Sequence, residues 1–260
     1  MDSFDSFLLR RLYKRVSELG DRLAQVEKLV DWEAFRPIAS GMFRNDTELG
    51  GRPNVDEVVM VKLLVLQQWY GLPDEELERQ AVNRMDFQHF LGYPEEIPDS
   101  TTVWLFRERL ASAGRDRLVW EELQRQLDEK GLRVRRGVAQ DATFITAVPG
   151  PSGKPRGEHA RTRRSRDGDW AKRRKGSAFG YKLHVKSDLD QGLVRDLETT
   201  SASIHDSRVD LSKPGEVVYR DKGYFGVEPR GYDATMRRGV RGHPIGVRDR
   251  LRNMRIGRRR

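Results

Sequence analysis

Apolar residues recur at intervals of three and four through most of the first 130 positions, the period of helices that bury one face. Leu9, Leu12, Val16, Leu19, Leu23 and Val26 make one such stripe, with Gly20 as a break. The run "RPNVDEVVMVKLLVLQQWYG" follows, with Asn54 as an N-cap, acids in the first turn and Gly71 as a stop. Its centre is apolar on nearly every side, so a buried helix is expected. Residues 73–92 open with Pro73 and an acidic turn and close at Gly92, and residues 100–113 follow a capping cluster and close at Gly114. A last helix is expected from about Asp116 to Lys130. Short helices and tight turns permit a helix-turn-helix, with 73–92 or 100–113 as the recognition element, or a bundle used for packing or dimerisation.

After Gly131 the period becomes two. "RRGVAQDATFITAV" alternates like a strand and carries Asp141 in its middle. "AFGYKLHVKSD" sets Phe179, Tyr181, Leu183 and Val185 on one face and Lys182, His184 and Lys186 on the other, the pattern of a half-buried strand whose polar side meets solvent. "GLVRDLETTSAS" is a third strand, "IHDSRVDLS" a short helix capped near Ser203, and "EVVYRDKGYF" a fourth strand. The order β-β-β-α-β predicts a mixed sheet with helices against it, an α+β fold with a helical domain over residues 1–130 and a sheet domain over 131–260.

Charge divides the chain at the same place. Residues 1–130 hold 18 Lys and Arg against 25 Asp and Glu, whereas residues 131–260 hold 31 against 15. A field of that sign attracts a polyanion, and nucleic acid is the commonest large one in a cell. Two blocks concentrate it. The insert 149–178 between the first two strands contains Arg161, Arg163, Arg164, Arg166, Lys172, Arg173, Arg174 and Lys175, and is expected to be ordered by a polyanion. The second block runs from Arg237 to Arg260 with Asp249 as its single acid. Lys182, His184 and Lys222 are further candidates for phosphate contact, His184 having a solvated or hydrogen-bonded role as its alternative. Trp170 and Phe179 flank the insert, placed to stack on an unpaired base or to anchor the loop. No cysteine is present, which removes disulfides and thiolate metal sites, and the five histidines show no zinc spacing. The longest apolar stretch, "VVMVKLLVL", is too short for a bilayer, and nothing resembles a secretory leader, so a cytoplasmic protein with no membrane partner is expected.

Asp141 and Asp221 are the candidate chemistry. "VVYRDKGYFG" leads a buried-looking strand straight to a carboxylate, and a charge there needs a partner or a task. If the two strands are neighbours, the acids converge at one sheet edge, where a hard cation such as Mg²⁺ or Mn²⁺ relieves their repulsion. The plainer reading of each Asp taken singly is a turn or capping residue.

The ordered segments "VAQDATFI", "KGSAFGYKLHV", "SASIHDS" and "VVYRDKGYFG" together resemble the catalytic core of a DDE transposase of the IS5 group, within the IS4-like superfamily. "GRPNVDEVVMVKLLVLQQWYGLPDEELERQ" and "IPDSTTVWLFRERL" are similar to that group's N-terminal helical domain. The resemblance implies an RNase H-like sheet, Asp141 and Asp221 as the first two catalytic acids and metal ligands, and Mg²⁺ as cofactor with Mn²⁺ as a substitute. It also implies double-stranded DNA as partner, both terminal inverted repeats and target DNA, a homo-oligomer of at least two chains, and a place on the nucleoid of a prokaryotic cytoplasm. The third acid of that family is a Glu on a later helix in a Tyr-x-x-Arg-x-x-x-Glu context. Glu228 lies too near Asp221 for that part and Asp249 lies upstream of it, so a chain ending before the third acid is expected, completed in another reading frame or acting as a non-catalytic DNA-binding fragment.

Overall fold

The computed structural model describes residues 4–43, 54–149, 167–173 and 176–260, and the chain divides into two compact units, Met1–Gly131 and Leu132–Arg260.

The first unit is helical: α1 (Phe4–Glu18), α2 (Arg22–Leu29), α3 (Arg36–Ala39), α4 (Glu57–Tyr70), α5 (Asp74–Asn83), α6 (Met85–Leu91), α7 (Ser100–Ser112) and α8 (Arg115–Glu129). Helix α4 is the buried centre, with Met60, Leu63 and Leu66 fully enclosed by Leu77, Phe87, Phe90 and Phe106 of its neighbours. Its N-cap is Asp56, whose Oδ1 accepts from the amides of Val58 and Val59, and not the expected Asn54, whose side chain donates to the Phe43 carbonyl instead. Gly71 ends it in the left-handed conformation, as the sequence indicates. The single helix expected over 73–92 is two. Arg84 is extended between α5 and α6, its guanidinium paired with Asp86 at 2.5 Å and lying over the rings of Tyr70 and Phe87. Lys62, buried in the middle of α4, pairs with Glu27 at 2.8 Å and sits 5.3 Å from the ring centres of both Trp32 and Phe90.

The second unit is a six-stranded mixed sheet made of β1 (Val138–Thr146), β2 (Asp169–Arg173), β3 (Gly176–Asp188), β4 (Val194–Ser201), β5 (Val217–Arg220) and β6 (Tyr232–Thr235), with α9 (Val247–Arg259) beside it. The order is β2-β3-β1-β5-β6, with β4 also paired to β3. β1 runs antiparallel to β3 and parallel to β5, and β5 runs parallel to β6. The close approach of β3 to the end of β1 needs Gly180, where a Cβ would fall 2.0 Å from the Ile145 carbonyl oxygen. β2, β6 and α9 are elements the periodicity did not predict: the two strands are four or five residues long, and β2 lies within the expected insert.

The face of β3 expected to meet solvent is the interior one. His184, Lys186 and Asp188 are buried, whereas Leu183 and Val185 on the other face are half-buried. The segment 204–216 crosses the polar face and supplies partners there. Lys182 pairs with Asp206 at 2.8 Å and donates to the Ile204 carbonyl at 2.7 Å, while Lys186 pairs with Glu216 at 3.2 Å. Within the sheet itself, Asp188 is joined to Arg195 at 2.9 Å, and Nε2 of His184 meets the Thr200 hydroxyl at 2.9 Å. Polar side chains are tolerated inside when each is paired, and here almost every one is. Period two located the strand correctly and could not say which side would be covered.

Candidate active site

Val138 of β1 lies opposite Val218 of β5 and Ala139 opposite Tyr219. Continuing that register by two residues sets Asp141 level with Asp221, on parallel strands separated by about 4.8 Å. The ladder stops two positions short of the acids, so neither backbone is tied to the other where the carboxylates stand. This is the carboxyl end of the parallel pair, the usual place for a ligand on an open sheet.

Each acid has a distinct setting. Asp141 is open, its side chain 67% exposed, with Oδ1 accepting from the Ala142 amide at 2.9 Å and Oδ2 from Arg260 at 2.8 Å. Asp221 is half-buried and follows the last residue of β5; its Oδ1 accepts from the Gly223 amide at 2.7 Å and so caps a one-turn helix, Lys222–Tyr224. Asp221 therefore fills the capping role and also follows the strand that neighbours β1.

Three groups surround the pair that the sequence did not single out. Arg220, fully buried, donates from Nε to the Thr235 hydroxyl at 2.8 Å and from Nη2 to the Val227 carbonyl at 2.6 Å, closing the loop that carries Asp221. Tyr224 ends that loop's helical turn, 1% exposed, with the Arg220 guanidinium 5.4 Å from its ring centre. Burial pushes its hydroxyl pKa up, the nearby Asp206, Asp141 and Asp221 push it further the same way, and a hydrogen bond from Gln140 works against them. Asp206 reaches this region on a one-turn helix, Asp206–Arg208, that packs beside the Lys222–Tyr224 turn. That turn is capped by His205, whose Nδ1 accepts from the Ser207 amide at 3.3 Å, rather than near Ser203. A signal for Arg220 and Tyr224 was present in the run "YRDKGY", and for Asp206 in "SASIHDS".

Helix α9 supplies the positive side. Its C-terminal Arg259 donates to the Tyr219 hydroxyl at 2.6 Å, and Arg260 meets Asp141. A cleft of about 620 Å³ between α9 and β5–β6 is lined by Arg248, Arg252, Arg255, Arg258 and Arg259 together with Tyr219. Asp249 lies in the first turn of α9, eleven residues before Arg260, or about 16 Å along a helix axis from the end that touches Asp141. It is placed away from the pair, and Glu228 is exposed on the loop beyond it.

The expected phosphate contacts are spread unevenly. Lys172 and Arg173 lie exposed on β2, Arg173 with its guanidinium 4.8 Å from the Phe144 ring centre, and Lys222 is exposed beside Asp221. Lys182 is committed to Asp206 and Ile204, and His184 is enclosed, its pKa lowered by burial against the pull of Asp206 and Glu198. Arg161, Arg163, Arg164, Arg166, Arg174 and Lys175 lie outside the described residues. Trp170 packs edge-to-face on buried Phe179, 5.7 Å between ring centres, and leaves 43% of its surface exposed.

Residues 10–109 match the family described as Transposase domain (DUF772), and residues 132–254 match the Transposase DDE domain. The chain belongs to the DDE transposases of the IS4/IS5-like kind. The DDE match contains both Asp141 and Asp221. No solved structure shows a significant match to this transposase. Transposases of this family generally use divalent metal ions. Among the described residues no group of three His, Cys, Asp or Glu side chains converges into a metal site. A pair of carboxylates nonetheless fits Mg²⁺, which takes one or two from a protein and keeps several waters. Among the described residues no helix is long and apolar enough to cross a membrane.

Proposed function

We propose that this chain is the transposase of an insertion sequence of the IS5 group, binding terminal inverted repeats and cutting and joining DNA at a divalent-metal site held by Asp141 and Asp221. The observation that carries this reading is the parallel pairing of β1 with β5, whose register, continued by two residues, would bring two acids eighty positions apart in sequence level with each other. A bound Mg²⁺ or Mn²⁺ would activate a water or a 3′-hydroxyl and stabilise the leaving oxygen of a phosphodiester. The chain's own residues do the rest. Asp141 and Asp221 hold the cation from neighbouring strand ends. Lys222 and the arginines of α9 hold phosphates on the flank of the pair, where a polyanion displaces counterions. Arg260, which pairs with Asp141 in the absence of DNA, is placed to exchange that partner for a phosphate. Lys172 and Arg173 extend the positive surface along β2. The helical unit is assigned to recognition of the element's ends or to pairing of two chains.

Replacing Asp221 with Asn tests the reading. The change keeps the cap to Gly223, because an amide oxygen still accepts, but removes a charge from the cation site. Cleavage of a repeat-end duplex by the active transposase is expected to vanish in Mg²⁺ while duplex binding stays within about threefold, less than the loss of one phosphate contact. Retained cleavage would remove Asp221 from the site.

A further inference from the structure

The hydroxyl of Tyr224 is an unspent donor in a place where donors are expensive to waste. The side chain is 1% exposed, yet its O–H proton meets no acceptor among the described residues. Gln140, enclosed nearby, donates to the Val209 carbonyl at 2.7 Å and accepts from the Leu211 amide at 3.2 Å; its second amide hydrogen faces the phenolic oxygen, so it supplies a donor to Tyr224 but no acceptor for the O–H proton. Leaving a buried hydroxyl unmatched costs about 1–3 kcal/mol, and folding alone offers no return for it, since phenylalanine would fill the same space. The ring is not free to turn away. Its backbone is set by the amide of Tyr224 donating to the Asp221 carbonyl at 3.3 Å, and the Arg220 guanidinium lies against the ring, held from the far side by Thr235 and Val227. Three residues after Asp221 on a one-turn helix, and beside the turn that carries Asp206, the hydroxyl stands within electrostatic range of Asp206, Asp141 and Asp221.

We propose that Tyr224 is a positioning residue whose hydroxyl donates to a carboxylate oxygen of the Asp141–Asp221 pair when a divalent cation is bound. This deepens the functional reading above and rests on it. A cation draws both carboxylates towards itself and fixes which of their oxygens point outward; an oriented donor then selects one arrangement of several. Hydrogen bonds to ligating carboxylates act in this way in metal sites generally, and their loss lowers metal affinity about 10- to 100-fold. Asp206, paired with Lys182 at 2.8 Å, keeps free acceptor capacity and is the competing partner; a hydroxyl committed to it would leave Mn²⁺ affinity unchanged on its removal.

The experiment is a Mn²⁺ titration of the whole chain, followed by the loss of the free-ion signal in electron paramagnetic resonance, on the wild type, Asp221→Asn and Tyr224→Phe, with thermal unfolding measured on each. Saturable binding by the wild type that Asp221→Asn abolishes establishes the cation site. Against that background Tyr224→Phe is expected to bind Mn²⁺ at least about tenfold more weakly while its unfolding temperature is unchanged or higher. A purely structural tyrosine would give the opposite pair of results, a lower unfolding temperature and unchanged Mn²⁺ affinity, and that outcome overturns the proposal. No Mn²⁺ binding by the wild type, or equal binding by Asp221→Asn, would remove the cation site itself and the proposal with it. As a measurement without loss of the hydroxyl, 3-fluorotyrosine placed at 224 is expected to shift its fluorine resonance on addition of Mg²⁺, and not in the Asp221→Asn background. An unmoved resonance in a chain that binds Mg²⁺ refutes the contact.

Discussion

Arg220→Ala is the sharpest test of how this sheet is held together. The guanidinium is fully buried and links three pieces of chain: β5, which carries it, β6 through Thr235, and the loop after Asp221 through the Val227 carbonyl. It also approaches Asp233 at 3.4 Å. Truncation leaves the Thr235 hydroxyl and the Val227 carbonyl without their charged donor, at about 1.5–3 kcal/mol for each bond. Asp233, whose side chain is 35% exposed, can recover water and adds little. The wild type carries its own penalty, because Nη1 of Arg220 is buried without a partner among the described residues, and removing it offsets part of the loss. The balance is a destabilisation of about 3–5 kcal/mol, the range for breaking a buried charged network. With a urea slope of about 2 kcal/mol/M, the unfolding midpoint of the sheet unit falls by about 2 M. Urea-dependent hydrogen exchange, followed on peptides covering β5 and β6, reads this locally. Arg220→Lys restores charge without the planar fork and is expected to recover less than half of the loss. A midpoint for Arg220→Ala within about 0.3 M of wild type would show that the network does not hold the sheet, and that Asp221 is placed by other means.

Two further predictions concern charges buried without an apparent task. Burial lowers the pKa of His184, against Asp206 and Glu198 and with Lys182, so the unfolded chain takes up the proton more readily than the folded one. Stability is then complete above the ordinary histidine value of about 6.5 and is lost as pH falls below it; His184→Gln should flatten the dependence of unfolding temperature on pH between about 7 and 5, and an unchanged slope would count against the assignment. In the helical unit Lys62 is 7% exposed and Glu27 32% exposed, so removing either partner is not equivalent. Glu27→Ala strands a buried ammonium and should cost about 3 kcal/mol, whereas Lys62→Met leaves a carboxylate on a partly exposed side chain, with Oε2 still enclosed, and should cost less, about 1–2 kcal/mol by chemical denaturation; equal losses would refute the asymmetry.

Much of this protein was legible in its residues because local physics decided it. The helical periods, the Gly20 break and the Gly71 stop emerged as expected, since spacing and backbone freedom are properties of the chain itself. So did strands β1, β3, β4 and β5, and the isolation of Asp141 and Asp221 as acids in or after β-patterned segments. What the chain could not disclose was everything settled between distant segments. Alternation placed Lys182, His184 and Lys186 on one face of β3, but only the crossing of residues 204–216, with Asp206 and Glu216 as ready partners, made that face the interior. β2 and β6 are too short to carry a period of their own and exist because a longer strand offers them an edge. The neighbouring of the strands that carry or precede Asp141 and Asp221, the enclosure of Arg220 and the burial of Tyr224 depend on strand order and register. Those follow from which surfaces can be buried together, a question that no stretch of sequence answers alone.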